Sequence, residues 1–184
     1  MMFVLIITAG HVNYITCIVS RHWTKPPLGW IKCNYDGTFN RDMPAKAGWV
    51  IRDDRGTFIG AGQAIGKPTN SCLESELQAL IMAMQNCWGK GYKKILFEGD
   101  NKEIEEILNG NKANFGAYNW IREVSAWRKR FEECRFVWTR RDCNMVADTL
   151  AKGHLPTLSQ FYFHAYVPYA IVNTLHCDFV TSNA

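Results

Sequence analysis

The sequence predicts an α/β fold with a five-stranded mixed sheet, in which three antiparallel strands are followed by two parallel strands and helices flank the sheet. Segments 32–38, 47–52 and 57–65 read as strands joined by short turns, and strands so joined must pair as antiparallel neighbours. Segments 93–99 and 134–139 are also strand-like, and each follows a helical stretch. The order of meander, helix, strand, helices, strand, helix is typical of an α/β domain.

Composition agrees with one globular domain. The chain has 184 residues, 47% of them hydrophobic, and a net charge of +4, which suits a polyanionic partner without requiring one. Its seven cysteines include no C-x-x-C pair, so a zinc site is disfavoured and buried thiols in a reducing compartment, nucleus or cytoplasm, are expected. We expect a monomer with no stable membrane association.

Three regions are predicted along the chain. Residues 1–29 form an apolar extension and a proline-rich linker, residues 30–154 form the domain, and residues 155–184 form an aromatic-rich tail that packs back as an irregular or short helical cap. The first twenty residues contain no Lys, Arg, Asp or Glu. A signal peptide or a membrane span is an alternative for them, but the basic start is missing and polar residues interrupt the run.

Asp36 is the residue around which the first strand is organised. Lys32, Asn34 and Asp36 share one face of that strand, because alternate side chains point to opposite sides. Gly37 follows and leaves room for whatever approaches the carboxylate. Because an unpaired buried charge is very costly, an aspartate in a strand indicates a partner.

The helix predicted over 72–88 carries two acids with different surroundings. Glu76 lies on a seam of small and apolar residues, whereas Glu74 lies over Gln78 and faces water. Carboxylates are rarely buried on the sheet side of a helix unless they are paired, so Glu76 is the functional candidate. Glu74 is a first-turn acid favoured by the helix dipole.

Two further acids complete the set. Asp100 stands at the carboxyl end of the strand predicted over 93–99, where it could both cap the next helix, with Glu103, and join a site, because sites collect at the carboxyl ends of strands. Glu98 has the same strand parity and is a weaker candidate. Asp148 lies in the last predicted helix, 144–152, downstream of two arginines. Four converging carboxylates cannot all stay ionised without cations, so a divalent-metal site for phosphoryl chemistry is predicted.

The chain resembles the ribonuclease H type 1 family, specifically the plant ribonuclease H-like domains related to retroelement reverse transcriptases. The matching pieces, in order, are Asn34-Tyr35-Asp36-Gly37, Gly48-Trp49-Val50-Ile51-Arg52-Asp53, Glu76-Leu77-Gln78-Ala79-Leu80, Phe97-Glu98-Gly99-Asp100 and Arg141 through Asn144 to Val146-Ala147-Asp148-Thr149-Leu150-Ala151-Lys152. Each piece is weak alone, and five in the right order make a strong signal.

The resemblance implies an endonuclease that hydrolyses the RNA strand of an RNA–DNA hybrid with two Mg2+ ions, which Mn2+ could replace. Asp36 matches the aspartate that bridges both ions, and Glu76, Asp100 and Asp148 match the other metal-binding and catalytic acids. The resemblance also implies substrate contacts in the glycine after the first aspartate, in a polar segment before the Glu76 helix and in the loop before the last helix: Gly37, Thr69, Asn70, Ser71, Arg141 and Asn144.

Two alternatives stay open. Well-studied family members carry a histidine in the loop before the last helix, whereas loop 140–144 here has none. A catalytically weak or vestigial nucleic-acid-binding domain of retroelement origin is therefore the main alternative. A nuclease or recombinase of this fold that acts on DNA is the second.

Overall fold

One mixed sheet forms the centre of the molecule. The structure, a computed structural model, describes residues 22–155 and 159–183. In these residues six strands lie in the order β5-β4-β1-β2-β3-β6. The strands are β1 (Ile31–Thr38), β2 (Lys46–Arg52), β3 (Phe58–Ile65), β4 (Lys94–Gly99), β5 (Glu133–Trp138) and β6 (Phe161–His164). The helices are α1 (Cys72–Gly89), α2 (Lys102–Leu108), α3 (Tyr118–Arg128), α4 (Met145–Lys152) and α5 (Val172–Thr181). Short 3-10 turns span Arg141–Cys143 and Tyr169–Ile171.

The predicted strand pairing is confirmed, and the predicted strand count is wrong by one. Strands β1, β2 and β3 form an antiparallel meander, while β4 pairs parallel with β1 and β5 parallel with β4. The sixth strand, β6, comes from the aromatic-rich tail and pairs antiparallel with β3. It is only four residues long, which is too short for an alternating pattern to distinguish it from a loop.

Helices cover both faces of the sheet. On one face α1 packs against β1 and β2, and α3 packs against α1. Leu77, Leu80 and Val124 are part of that core. On the other face α4 packs on β2 and β3 through Val146 and Leu150. Side chains of a strand alternate between faces, and β2 therefore contributes apolar side chains to both cores.

Two glycines allow the helices that carry acids to approach the strands closely. A Cβ atom on Gly37 would lie 2.4 Å from the carbonyl oxygen of Ser75 in α1, and a Cβ on Gly48 would lie 2.2 Å from the amide nitrogen of Ala151 in α4. Both distances are far inside van der Waals contact. The space that we predicted Gly37 to leave for a ligand is thus occupied by helix α1.

Both flanking regions contact the sheet. Trp23, at the start of the predicted linker, is buried, and Ile171 in the tail is fully buried in the core under α4. The tail, which we expected to be an irregular or short helical cap, contributes a strand of four residues and a helix of ten residues. The apolar segment 1–20 lies outside the described residues. Within the described part of the chain, no helix is both long and apolar enough to cross a membrane.

Candidate active site

Three carboxylates converge near the carboxyl ends of the interior strands β1 and β4. Asp36, Glu76 and Asp100 each place one oxygen within 4.8 Å of the others. The parallel pairing explains the meeting of two of them, because Asn34 of β1 lies beside Glu98 of β4 and Asp36 and Asp100 each follow two residues later. Helix α1 supplies Glu76 from its second turn. Asp36 and Glu76 are buried, and Asp100 is partly exposed.

Asp100 does not cap the following helix. The side chain of Asn101 accepts hydrogen bonds from the amides of Glu103 and Ile104, at 3.1 and 3.4 Å, and is the cap of α2. Glu103 pairs with Lys112 instead of completing a capping box. The predicted cap at Asp100 is therefore wrong, and its carboxylate is free to join the cluster.

The two acids of α1 have the different surroundings that the sequence predicts. Glu76 accepts a hydrogen bond from the backbone N–H of Gly37 at 3.1 Å, so its carboxylate is held against the strand that carries Asp36. Glu74 accepts from the amide of Asn70 at 2.8 Å, and its own N–H donates to the hydroxyl of Ser71 at 3.2 Å. Ser71 is the N-cap of α1.

Asp148 lies beside this triad with two cationic neighbours. Lys152, one turn later in α4, has its ammonium 2.7 Å from the carboxylate. The guanidinium of Arg141 reaches Asp148 at 3.4 Å and Asp100 at 3.8 Å. Because this guanidinium contacts both carboxylates, it partly compensates their charge. Asp148 is buried, whereas 67% of the Arg141 side chain is exposed.

Burial, and then the neighbouring carboxylates, raise the pKa of three carboxyl groups. Burial, and then the negative charges of Asp100 and Asp148, raise the pKa of Asp36 from 3.8 to about 7. Burial, and then the charges of Asp36 and Asp100, raise the pKa of Glu76 well above its usual value, against the hydrogen bond from Gly37. Burial is also the main cause of the raised pKa of Asp100, which Arg141 partly offsets. The site therefore resists holding all its charges without a cation.

The donor set fits a divalent cation of the magnesium type. All the candidate ligands, Asp36, Glu76, Asp100 and Asp148, offer carboxylate oxygens, which are the ligands that hard ions prefer. The three oxygens within 4.8 Å of one another leave room for an ion between them. The raised pKa values show that such an ion would relieve an unfavourable charge distribution.

The predicted substrate contacts have different environments. Asn70 is exposed, while Thr69 is buried with a hydroxyl oxygen that has no hydrogen-bond partner among the described residues. Asn144 is buried and its amide donates to the carbonyl of Tyr35 at 2.9 Å. Glu98, the weaker sequence candidate, forms a buried ion pair with Lys32 at 2.8 Å and is not among the three clustered carboxylates.

Sequence reasoning missed two residues near the site. Lys152 is one helical turn after Asp148, and this i, i+4 spacing of opposite charges could have identified it. Asn34 is fully buried two residues before Asp36. Its place on the same strand face was evident, but only its partner Arg52 lies on a predicted neighbouring strand, and no local pattern connects Asn34 with Trp23, Glu98 and Asn144.

Comparisons with known proteins agree with this geometry. The family model described as reverse transcriptase-like matches residues 34–154. A provisionally named ribonuclease H protein of Arabidopsis thaliana is 27% identical over 159 residues, which cover 85% of this chain and 25% of that protein. Ribonuclease HI of Halobacterium salinarum is 30% identical over 109 residues, which cover 58% of this chain and 51% of that protein. The match therefore spans only a quarter to a half of these relatives.

Solved structures show the same fold. RNase H1 of Halobacterium salinarum has a TM-score of 0.62 at 24% identity and covers 66% of this chain and 94% of its own. LC11-RNase H1 in complex with an RNA/DNA hybrid has a TM-score of 0.58 at 22% identity, with 65% and 92% covered. These identities support the fold alone. Since the family model covers most of the chain and ends just after the Asp148 helix, the chain belongs to the reverse transcriptase-like family and contains a ribonuclease H-like domain.

Proposed function

We propose that this chain is a metal-dependent endonuclease that hydrolyses the RNA strand of RNA–DNA hybrids. The observation that carries the proposal is the convergence of Asp36, Glu76 and Asp100, with oxygens within 4.8 Å of one another, in a ribonuclease H-like domain. The relatives named ribonuclease H, and the similar structure bound to an RNA/DNA hybrid, support this choice of substrate.

The four acids would hold the cations, and we propose two Mg2+ ions. Bound divalent ions would supply an activated water and stabilise charge on the phosphoryl group and the leaving oxygen. Mn2+ has the same preference for oxygen ligands and would substitute for Mg2+. Hydrolysis forms one P–O bond to water, breaks one P–O bond to ribose and transfers a proton to the leaving oxygen.

The protein residues fix the geometry of this chemistry. The amide of Gly37 orients Glu76 at 3.1 Å, and the ammonium of Lys152 orients Asp148 at 2.7 Å. Arg141 is exposed beside Asp100 and Asp148, where its guanidinium can leave one carboxylate and bind a phosphate of the incoming strand. These contacts prepare the carboxylates before substrate arrives, which lowers the reorganisation that catalysis requires.

The segment before α1 is the proposed contact with the nucleic acid. The buried hydroxyl of Thr69 has no partner among the described residues, and such groups usually find one in water or a ligand. Asn70 and Ser71 lie beside it at the start of α1, and a helix N-terminus favours a phosphate. A 2′-hydroxyl bound by such groups would distinguish RNA from DNA. Gly37 completes the proposed contact set, whereas Asn144 is buried and its side chain bonds to Tyr35 and Asn34, so it is not a substrate contact in this proposal.

A vestigial binding domain is the competing function, and one observation favours it. Residues 140–144 contain no histidine, so the side chain that matches the family's loop histidine is missing. The acids are nevertheless all present, and their buried cluster is energetically costly to retain.

Strand-specific cleavage tests the proposal. Hybrid duplexes labelled on the RNA or the DNA strand would be incubated with the protein in Mg2+, in EDTA and with Asp36→Asn. The proposal predicts cleavage of the RNA strand alone, lost in EDTA and in Asp36→Asn while hybrid binding persists. Hybrid binding without cleavage by the wild-type protein would establish the vestigial alternative, and cleavage of duplex DNA would contradict the proposed substrate.

A further inference from the structure

A buried polar cluster lies on the same face of β1 as Asp36, next to the start of helix α4. It consists of side chains from β1, β2, β4, the segment before β1 and the loop before α4, and we call it the Asn34 cluster: Trp23, Lys32, Asn34, Arg52, Glu98 and Asn144. Apart from Trp23 all of its members are polar or charged, and all are buried. Burying so many polar groups is costly unless each finds a partner.

Asn34 is the centre of this cluster because its side-chain amide makes four hydrogen bonds. Its Oδ1 accepts from Nε1 of Trp23 at 2.9 Å and from Nη2 of Arg52 at 2.8 Å. Its Nδ2 donates to Oε1 of Glu98 at 2.9 Å and to Oδ1 of Asn144 at 3.3 Å. An asparagine amide has two donor hydrogens and two acceptor lone pairs. The full capacity of the group is therefore used.

The contact with Asn144 connects the two parts of the carboxylate site. Nδ2 of Asn144 donates to the carbonyl of Tyr35, the residue before Asp36, at 2.9 Å. The backbone carbonyl of Asn144 accepts from the amide of Asp148 at 3.1 Å. Asn144 thus contacts β1 beside Asp36 through its side chain. Its backbone carbonyl anchors the first turn of α4, which carries Asp148.

The segment before β1 and the C-terminal tail both help to hold Asn34. The guanidinium of Arg52 stacks on the ring of Trp23 at 3.6 Å and pairs with Asp178 of α5 at 2.7 Å. Lys32 pairs with Glu98 at 2.8 Å and donates to the carbonyl of Thr24 at 2.7 Å. With its neighbours fixed by charge and stacking, the Asn34 amide has one favourable orientation, and that orientation presents Nδ2 to Asn144.

We propose that Asn34 is a positioning residue of the carboxylate site, which fixes helix α4 and Asp148 relative to the strand that carries Asp36. The inference rests on the proposed function, since it assigns a role within the same metal site. Asn34 acts through Asn144 and makes no contact with the four carboxylates. Outer partners that orient metal ligands typically change metal affinity by about 10- to 100-fold when they are replaced.

Mn2+ binding is the direct readout, because it requires no turnover. Free Mn2+ would be titrated into the protein and followed by electron paramagnetic resonance, for the wild type, Asn34→Leu and Asn144→Ala. The matched control is Gln63→Leu, which also removes a buried amide bonded to α4, here to the carbonyl of Leu150 at 2.7 Å. We expect Mn2+ affinity to fall by about 10-fold in Asn34→Leu and Asn144→Ala and to stay unchanged in Gln63→Leu.

A second form of the experiment does not depend on Asn34→Leu folding. In the double variant Asn34→Asp with Glu98→Gln, the net charge is conserved and the two new side chains can still bond to each other, with donor and acceptor exchanged. The carboxylate oxygen introduced at position 34 and Oδ1 of Asn144 are both acceptors, so the hydrogen bond between these two side chains would be lost. We expect this variant to fold, by circular dichroism, and to bind Mn2+ as weakly as Asn144→Ala.

The outcomes separate this inference from the proposed function. Wild-type affinity in folded variants of Asn34, or an equal loss in Gln63→Leu, would overturn the positioning role. If the wild type binds Mn2+ and the Asn34 variants bind it weakly, but no hybrid is cleaved, the positioning role stands and the proposed activity fails. If the wild type binds no Mn2+, both fail.

Discussion

The backbone amide of Gly37 donates a hydrogen bond to the carboxylate of Glu76 across 3.1 Å. Asp36 and Gly37 thus provide, in two successive residues, one acid of the cluster and the group that orients another. The same glycine lets helix α1 approach so closely that a Cβ atom would lie 2.4 Å from the carbonyl oxygen of Ser75. A single backbone position therefore sets the distance between strand and helix and the direction of the Glu76 carboxylate.

Substituting Gly37 with alanine tests this relationship. We expect Gly37→Ala to lower the free energy of unfolding by about 1–3 kcal/mol, because the helix must move away from the strand, and to weaken Mn2+ binding by displacing Glu76. Urea unfolding and a Mn2+ titration measure the two effects. Gly89→Ala is the control, since a Cβ there meets no atom within 4 Å. Equal behaviour of both variants would argue against the close-packing explanation.

The raised pKa of Asp36 predicts a stability that depends on pH in the absence of metal. Between its usual value of 3.8 and about 7 in the folded protein, the folded state binds more protons than the unfolded state. Stability should therefore fall as the pH rises through this window and stay low above it. Asp36→Asn removes the contribution of this residue to the effect, so in EDTA at about pH 8 it should be more stable than the wild type, by on the order of 2–4 kcal/mol.

The difference should shrink as the pH is lowered through this window, because below the usual pKa of an aspartate the wild-type carboxyl is protonated in both the folded and the unfolded state. Urea unfolding at several pH values, with EDTA throughout, measures it. Asp42→Asn is the control, because Asp42 is exposed in the loop between β1 and β2. A variant Asp36→Asn that is no more stable than the wild type at alkaline pH would contradict the charge repulsion derived for the cluster.

Arg141 should act in opposite directions on metal and on nucleic acid. Its guanidinium lies 3.4 Å from Asp148 and 3.8 Å from Asp100, where it competes with a cation for the carboxylates. Arg141→Gln should therefore strengthen Mn2+ binding and weaken hybrid binding, and loss of one phosphate contact should lower the salt dependence of hybrid binding by about one unit in slope.

A neighbouring arginine provides the comparison. Arg140 pairs with Asp142 at 3.1 Å on the surface, and Arg140→Gln should leave Mn2+ affinity unchanged. Fluorescence anisotropy of a labelled hybrid at several salt concentrations, in Ca2+ to prevent cleavage, gives the slope for each variant. If Arg141→Gln binds hybrid as tightly as the wild type, with the same slope, Arg141 is not a phosphate contact.

The predicted domain boundary at residue 154 can be tested through the tail. A chain that ends at His154 lacks Asp178, and the buried guanidinium of Arg52 would lose the carboxylate 2.7 Å away. Breaking a buried pair in this way typically costs about 3–5 kcal/mol, and the same chain also lacks the buried Ile171. We therefore expect this shortened chain to unfold at much lower urea than the full chain.

The full chain with Tyr169→Ser serves as the control, because this tail residue is almost completely exposed and the substitution should be neutral. Unfolding of the shortened chain at the urea concentration of the full chain would instead support a domain that is complete at residue 154.

Strand parity and strand ends made much of the site predictable. Asp36 lies within a segment of strand composition and Asp100 directly after another. The small residues along one side of α1 distinguished Glu76 from Glu74. These are local patterns with a fixed period, so they can be recognised in a single sequence. The choice between Asn101 and Asp100 as the cap of α2 was not predictable, because both residue types are favoured caps and only tertiary position separates them.

Contacts between distant segments account for the rest. Asn34 bonds to Arg52 on the adjacent strand of the β1–β2 hairpin, but its bonds to Trp23, Glu98 and Asn144 have no spacing that a helix or hairpin would indicate. Strand β6 depends on β3 as a template, since four residues cannot show a period by themselves. Such features are specified by the whole fold, and a single sequence gives only the residue types.

The position of a bound ion would show directly whether Asp36, Glu76 and Asp100 form the metal site. Crystals of the protein soaked in Mn2+ would be measured at a wavelength where manganese scatters anomalously, with Asp36→Asn crystals treated identically. We expect an anomalous peak among the carboxylates of Asp36, Glu76 and Asp100 in the wild type, and a weakened or missing peak in the variant. Wild-type crystals with no peak at these carboxylates, or the same peak in both proteins, would contradict the assignment of this cluster as the metal site.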